Sequence, residues 1–234
     1  MKTYQLYING QYVDPVNGEW FDTIDPYRGE AWAKIPRGTA ADADKAVKAA
    51  NEAMWNGPWA KMTASARGKA MRKLGDLVAA NAERLAEIEV RDNGKLMAEM
   101  LGQLRYHPEW WWYFGGLVDK LEGGLVPIDK AETFAYTTHE PVGVVAALTA
   151  WNSPLLFVAW KCAAALAAGC AVIVKPSEFT SASTLEFAAL TKEAGIPDGI
   201  FNVVTGFGPE AGSALISHPG VAKRSEEHTS ELQS

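Results

Sequence analysis

The chain has 234 residues, 48% of them hydrophobic and 21% charged, which is enough apolar material to bury a globular core. A net charge of −6 excludes the electrostatic footprint of a nucleic-acid binder or of a protein held to an anionic membrane. The opening MKTYQLYINGQYVD has no apolar signal core, so no export is expected; Cys162 and Cys170 read as reduced thiols in the core of a cytoplasmic protein.

Residues 4–35 alternate loosely and carry the turn pairs Asn9-Gly10, Asn17-Gly18 and Arg28-Gly29, which predicts two or three short strands or hairpins. Thr39, with Asp42 three residues on, marks a helix start, and the helix is expected to run to about Ala53. Met71, Leu74, Val78, Leu85 and Ile88 recur near helical spacing with Arg72, Lys73, Asp76, Glu83 and Glu87 between them; Asn93-Gly94 ends this second helix. A third helix is predicted from about Leu96 to Lys120. Its run Trp110, Trp111, Trp112, Tyr113 and Phe114 reads as packing rather than a binding platform. Residues 123–140, Gly-rich at first and β-prone over 133–138, predict an extended excursion or hairpin of a kind that often pairs with another subunit.

From Pro141 to Val174 the strongly polar side chains are Thr149, Asn152, Ser153 and Lys161. They interrupt every stretch long enough to span a bilayer, and Pro154 and Gly169 divide the segment further, so it reads as buried strand, helix and strand. A β run at 142–148, an apolar helix at 154–168 and a β run at 171–174 come first. A helix at 181–194 closed by Gly195 and Pro197, a β run at 201–204 and a helix from Pro209 to about Ser217 follow. This β-α-β-α-β-α order implies an α/β fold with a parallel sheet and right-handed crossovers. The last eleven residues, RSEEHTSELQS, are polar and aperiodic and begin where another strand should come.

In an open parallel sheet, ligands gather outside the carboxyl ends of the strands. Thr149-Ala150-Trp151-Asn152 follows the first of these strands, Lys175-Pro176-Ser177-Glu178 the second, and Thr205-Gly206-Phe207-Gly208-Pro209 the third, just before a helix N-terminus suited to an anion such as a pyrophosphate. Together they read as a dinucleotide site. Singly, each has a plainer explanation. Gly206 and Gly208 specify a turn, with no GxGxxG; Lys175 and Glu178 fit a surface ion pair; Asn152 fits a helix cap; Lys161 fits a lysine whose stem lies in the core and whose ammonium reaches solvent. The histidines at 107, 139, 218 and 228 have no metal-ligand spacing.

At these residues the sequence resembles the aldehyde dehydrogenase superfamily. The matching stretches are HEPVGVVAALTAWNSPLL, AWK, VIVKPSE, EAGIPDGIFNVVTGFG and PEAGSALISHPGVAK, with LYINGQYV, TIDPYRGE and RDNGK earlier; they cover about 4–223 in order. The resemblance implies a Rossmann-like cofactor domain in two segments, 1–122 and 141–223, separated by an oligomerisation hairpin at 123–140, with homodimers or homotetramers in full-length members. Members oxidise an aldehyde through a cysteine thiohemiacetal, pass hydride to nicotinamide and hydrolyse the thioester. On that basis Asn152 is the side-chain donor of the oxyanion hole, Lys175 and Glu178 hold the adenosine ribose, and Thr149, Ala150, Trp151, Pro176 and Ser177 line the cofactor cleft. Gly208 and Gly212 lie by the adenine and pyrophosphate, Leu156 and Trp160 wall the substrate tunnel, and Lys161 matches a lysine sometimes given a charge-relay role. A Glu at 178 favours free ribose hydroxyls, hence NAD over NADP.

Two departures stand out. Ser153 replaces the aromatic residue many members carry after the Asn, which leaves the particular aldehyde open. The family's next strand, its glutamate base and its cysteine nucleophile have no counterpart here, and Cys162 and Cys170 align with buried structural positions upstream of that nucleophile. Residues 224–234 resemble adapter sequence read in frame and are expected to be disordered or artefactual. The expectation is therefore an N-terminal portion of an NAD-dependent aldehyde dehydrogenase, inactive by itself. A non-catalytic NAD-binding or assembly module, or an inert product of a truncated gene, is the alternative.

Overall fold

Five short strands open the chain: β1 (Lys2–Thr3), β2 (Leu6–Ile8), β3 (Gln11–Val13), β4 (Trp20–Asp25) and β5 (Glu30–Pro36). The computed structural model describes residues 1–226. Helices α1 (Ala40–Trp55), α2 (Pro58–Lys61), α3 (Ala64–Asn93), α4 (Met97–Tyr106) and α5 (Pro108–Leu117) follow, then a hairpin of β6 (Leu125–Val126) and β7 (Ala135–Tyr136). The last third alternates β8 (Val144–Thr149), α6 (Pro154–Ala167), β9 (Ala171–Pro176), α7 (Ala182–Glu193), β10 (Phe201–Val203), a π-helical turn at Gly208–Gly212, α8 (Ser213–Ile216) and β11 (Lys223–Ser225).

Strands β8, β9, β10 and β11 are parallel, in the order β11-β8-β9-β10. Strand β9 is buried along its whole length, which requires cover on both faces. Right-handed crossovers put α6 and α7 on one face, with α3 packed outside them, and α1 lies on the other. Among the described residues, no helix is long and apolar enough to cross a membrane.

The structure departs from the sequence expectations in four places. Where two or three short strands or hairpins were expected, five strands form, in two sheets: β2 and β3 extend the main sheet antiparallel beyond β10, whereas β1, β5 and β4 form a separate sheet. The expected single helix from Leu96 to Lys120 is broken at His107, because Pro108 has no N–H to continue the ladder and instead begins α5. The helix expected from Pro209 starts as a π-helical turn and ends at Ile216. Arg224 and Ser225, expected to lie outside the fold, belong to β11, where Ser225 pairs with Ala147; the tail from 227 onward lies outside the described residues.

Other elements follow local chemistry. Thr39 starts α1 through a carboxylate of Asp42 that accepts from the Thr39 N–H and hydroxyl, at 2.9 and 3.0 Å. Gly94 ends α3 in the left-handed conformation, φ 72°. The hairpin at 123–140 exposes Leu125, Phe134 and Tyr136.

Candidate dinucleotide crevice

Three loops leave the carboxyl ends of β8, β9 and β10, and backbone hydrogen bonds hold them. Ser177 N–H donates to the Thr149 carbonyl at 3.0 Å, which joins the first loop to the second. The Ser177 carbonyl also accepts from Thr180 N–H and Ser181 Oγ, at 3.1 and 2.9 Å, so this one residue shapes the turn that carries Glu178. The third loop is pressed against the β5–α1 junction: Gly38 N–H donates to the Thr205 carbonyl at 3.1 Å, and Thr205 Oγ1 to the Pro36 carbonyl at 2.6 Å. Gly206 sits here with φ 130°, and a Cβ on it would lie 2.6 Å from the Gly38 oxygen, so only glycine fits.

A cavity of about 640 Å³ takes a wall from each loop: Trp151 from the first, Glu178 and Phe179 from the second, Phe207 from the third. Residues 21–24 of β4, Pro26, Asp92 and Asn93 close the opposite side. Its size is that of an ordinary small-molecule site. Of the residues expected at the cofactor, Trp151 and Glu178 line this cavity, whereas Thr149, Ala150, Asn152, Lys175, Pro176, Ser177, Gly208 and Gly212 lie in or beside the same loops but outside its lining, as does Gly206.

Lys175 is nearly buried, its Nζ 3.2 Å from Glu178 Oε2, while Glu178 stays partly exposed. Burial pulls the Lys175 ammonium below its ordinary pKa, and the Glu178 carboxylate opposes that pull. A methyl group on Gly212 would meet Cδ and Cε of Lys175 at 3.9 Å, so the lysine stem runs beside the π-helical turn; at Gly208 the corresponding space is open. Pro176 ends β9 and is buried, Ser177 and Ala150 are half-buried, and Trp151 is exposed. Thr149 Oγ1 is buried and has no partner among the described residues. An ammonium that donates, a carboxylate that accepts, an orphaned hydroxyl and an unobstructed glycine at the start of a helical turn are a set of groups that fits a dinucleotide's hydroxyls and phosphates.

Neither Asn152 nor Ser153 caps α6 with its side chain. Ser153 is the N-cap, but its Oγ donates to the Asn152 carbonyl at 2.8 Å, and the Asn152 carboxamide has no hydrogen-bond partner among the described residues. The cap comes from α3: Leu155 N–H donates to Glu89 Oε1 at 2.8 Å. One turn further along α3, Asp92 Oδ2 accepts from Ala182 N–H at 3.0 Å and serves α7 in the same way. Thr23 Oγ1 and Trp32 Nε1 donate to the other Asp92 oxygen, at 2.8 and 3.1 Å. Losing such a cap costs about 1 kcal/mol. Burial pushes both carboxyls up to about 7, against the lowering effect of these hydrogen bonds.

The Leu155 carbonyl is also held. His107 Nε2 lies 2.9 Å from it and must be the donor, so Nδ1 accepts from Trp111 Nε1 at 3.2 Å. Burial lowers the His107 pKa to about 4, in keeping with this neutral ring.

Leu156 and Trp160 follow Asn152 at intervals of four, which puts them on one side of α6. Trp160 is exposed, edge-on to Trp110 and Phe157 at 5.8 and 5.5 Å. The structure does not bring Lys161 to the loops: it lies about two turns, roughly 10 Å, into the helix. Its Nζ meets Ser225 Oγ on β11 at 3.2 Å. Cys162 and Cys170 are free and buried, and burial pushes the Cys162 thiol up to about 12.

Residues not singled out from the sequence also shape the site: Glu89, Asp92, His107, Arg37, Glu210 and Phe21. A signal existed for two of them. Glu89 and Asp92 follow Leu85 by four and seven residues, which puts charges on the apolar stripe of α3.

The model of the aldehyde dehydrogenase family matches residues 12–225. The (Z)-2-((N-methylformamido)methylene)-5-hydroxybutyrolactone dehydrogenase of Acinetobacter baylyi is 48% identical over 222 residues, which cover 95% of this chain and 45% of the relative. Aldehyde dehydrogenase family 2 member C4 of Arabidopsis thaliana is 45% identical, with the same two coverages. Among solved structures, the NAD+ complex of an aldehyde dehydrogenase from Bacillus cereus superposes with a TM-score of 0.93 at 41% identity, over 95% of this chain and 45% of that one. The chain thus spans a little under half the length of the relatives it matches.

Proposed function

Because the chain belongs to the aldehyde dehydrogenase family, we propose that it forms the dinucleotide-binding part of an enzyme that oxidises an aldehyde to a carboxylic acid with NAD. The supporting observation is that Trp151, Glu178 and Phe207, from three consecutive strand ends, share one cavity. Bound NAD supplies the hydride acceptor. In this reading Lys175 donates to the adenosine ribose and Glu178 accepts from its hydroxyls; a 2′-phosphate would meet the Glu178 carboxylate, which favours NAD over NADP. Gly208 and Gly212 leave room for the phosphates and adenine, and Thr149, Ala150, Trp151, Pro176 and Ser177 wall the cleft. The unengaged carboxamide of Asn152 points to a donor for the aldehyde oxygen as it gains charge. Leu156 and Trp160 line the approach of the aldehyde, and Lys161 acts through β11 rather than at the reacting atoms.

A second reading, a non-catalytic NAD-binding or assembly module, is favoured by the thiols. Neither described cysteine is exposed, and Cys162 is held far from thiolate. In that reading the exposed hairpin at 123–140 pairs with another subunit, as a homodimer or homotetramer, in the cytoplasm, where both thiols stay reduced. Calorimetric titration with NAD and NADP tests the dinucleotide site. Saturable binding of NAD, weaker for NADP, is expected; no binding of either would end the reading as a dinucleotide-binding part and leave an assembly module or an inert product.

A further inference from the structure

We infer that Glu89 is a positioning residue for Asn152, acting through the Leu155 peptide. The inference rests on reading Asn152 and its loop as part of the dinucleotide crevice. Leu155 lies three residues past Asn152, and its peptide groups are gripped on both sides by other helices: the N–H by Glu89 on α3, the C=O by His107 at the α4–α5 break. The first turn of α6 has no substitute. Pro154 lacks an N–H, and Ser153 Oγ is turned back to the Asn152 carbonyl. Glu89 is completely buried, makes no ion pair among the described residues, and accepts two hydrogen bonds there, both at Oε1, from Leu155 N–H and from Ser183 Oγ at 3.3 Å on α7. One carboxylate oxygen therefore joins the helix behind the Asn152 loop to the helix behind the Lys175–Glu178 loop, and fixes the gap between them. The other oxygen, Oε2, is buried with no partner among the described residues, so the two bonds at Oε1 are what offsets the cost of burying this acid between the two helices.

The test compares Glu89→Met, of similar volume but without an acceptor, with Glu89→Gln, whose amide oxygen still accepts from Leu155. Amide hydrogen exchange is followed residue by residue, and NAD affinity by calorimetry. In E89M, Leu155 and the first turn of α6 are expected to exchange roughly tenfold faster while the centre of α3 is unchanged, and NAD affinity to fall roughly fivefold. E89Q should restore both to within about twofold of wild type. A folded E89M with wild-type exchange at Leu155 and wild-type affinity would overturn the inference, as would an E89Q as impaired as E89M. Should E89M not fold, the wild type decides: exchange at Leu155 as fast as in the exposed hairpin 123–140 would overturn it. If the wild type does not bind NAD, the dinucleotide reading fails, and the exchange at Leu155 still decides the role of Glu89.

Discussion

The guanidinium of Arg37 grips the carboxylate of Glu210 with two hydrogen bonds, Nε to Oε2 at 3.0 Å and Nη2 to Oε1 at 2.6 Å. This fork joins the end of β5 to the π-helical turn beside Lys175, across 173 residues of sequence. The same guanidinium reaches Glu19 at 2.9 Å and lies over the Phe207 ring, which in turn packs on Phe21. The hydrogen bonds from Arg37, and with them its charge, hold the Glu210 carboxyl below its usual range. The third loop of the crevice is therefore braced from the N-terminal sheet. Arg37→Met is expected to weaken NAD binding roughly threefold at low salt, with the difference shrinking as salt screens the wild-type pair. Calorimetry at two ionic strengths checks this; equal affinities at low salt would show that the brace does not shape the site.

Lys175 and Glu178 make opposite predictions. Lys175→Met removes a charged donor and leaves Glu178 unpaired, so NAD affinity should fall roughly tenfold or more. Glu178→Gln keeps an acceptor but removes the negative charge, so NADP should gain on NAD. The ratio of the two dissociation constants is the measurement, and a ratio unmoved by E178Q would remove Glu178 from cofactor selection.

Glu89 and Asp92 make stability depend on pH with a definite sign. Their folded pKa values, about 7, exceed the ordinary carboxyl values, so the folded state binds more protons than the unfolded one in between. The stability they contribute is complete below the ordinary values and is lost as pH rises through about 7. His107 acts in the opposite sense: with its folded pKa at about 4, its contribution is present above the ordinary imidazole value and is lost as pH falls toward 4. Urea unfolding of Glu89→Gln from about pH 5 to pH 8 should therefore show a shallower loss of stability toward alkaline pH than wild type. Parallel curves would mean that Glu89 does not titrate in this range.

The chain assayed with NAD and several aldehydes is expected to reduce no cofactor, because no reactive thiol is available. Iodoacetamide followed by mass spectrometry should leave Cys162 and Cys170 unlabelled until denaturant is added. Turnover, or labelling in the folded state, would contradict this.

Gly206→Ala puts a Cβ against the Gly38 oxygen at a positive φ, and should cost about 1–3 kcal/mol. Denaturant unfolding measures it, and an unchanged midpoint would mean that the loop relaxes without strain.

Read alone, the residues determined the elements whose causes are local. The stop of α3 at Asn93-Gly94, the start of α1 at Thr39-Asp42 and the β-α alternation after residue 141 follow from caps, glycines and periodicity within a few residues. That alternation also located the three loops that meet at one cavity, because a parallel sheet puts all its strand ends on one side. Tertiary structure decided what braces them. Glu89 caps a helix 66 residues away and Asp92 one 90 residues away, and Arg37 meets Glu210 only because β5 ends beside the third loop. A side chain that completes a distant helix terminus leaves no periodic trace of its partner. Its choice depends on which buried N–H the packed helices leave unsatisfied, and that exists only once the chain has folded.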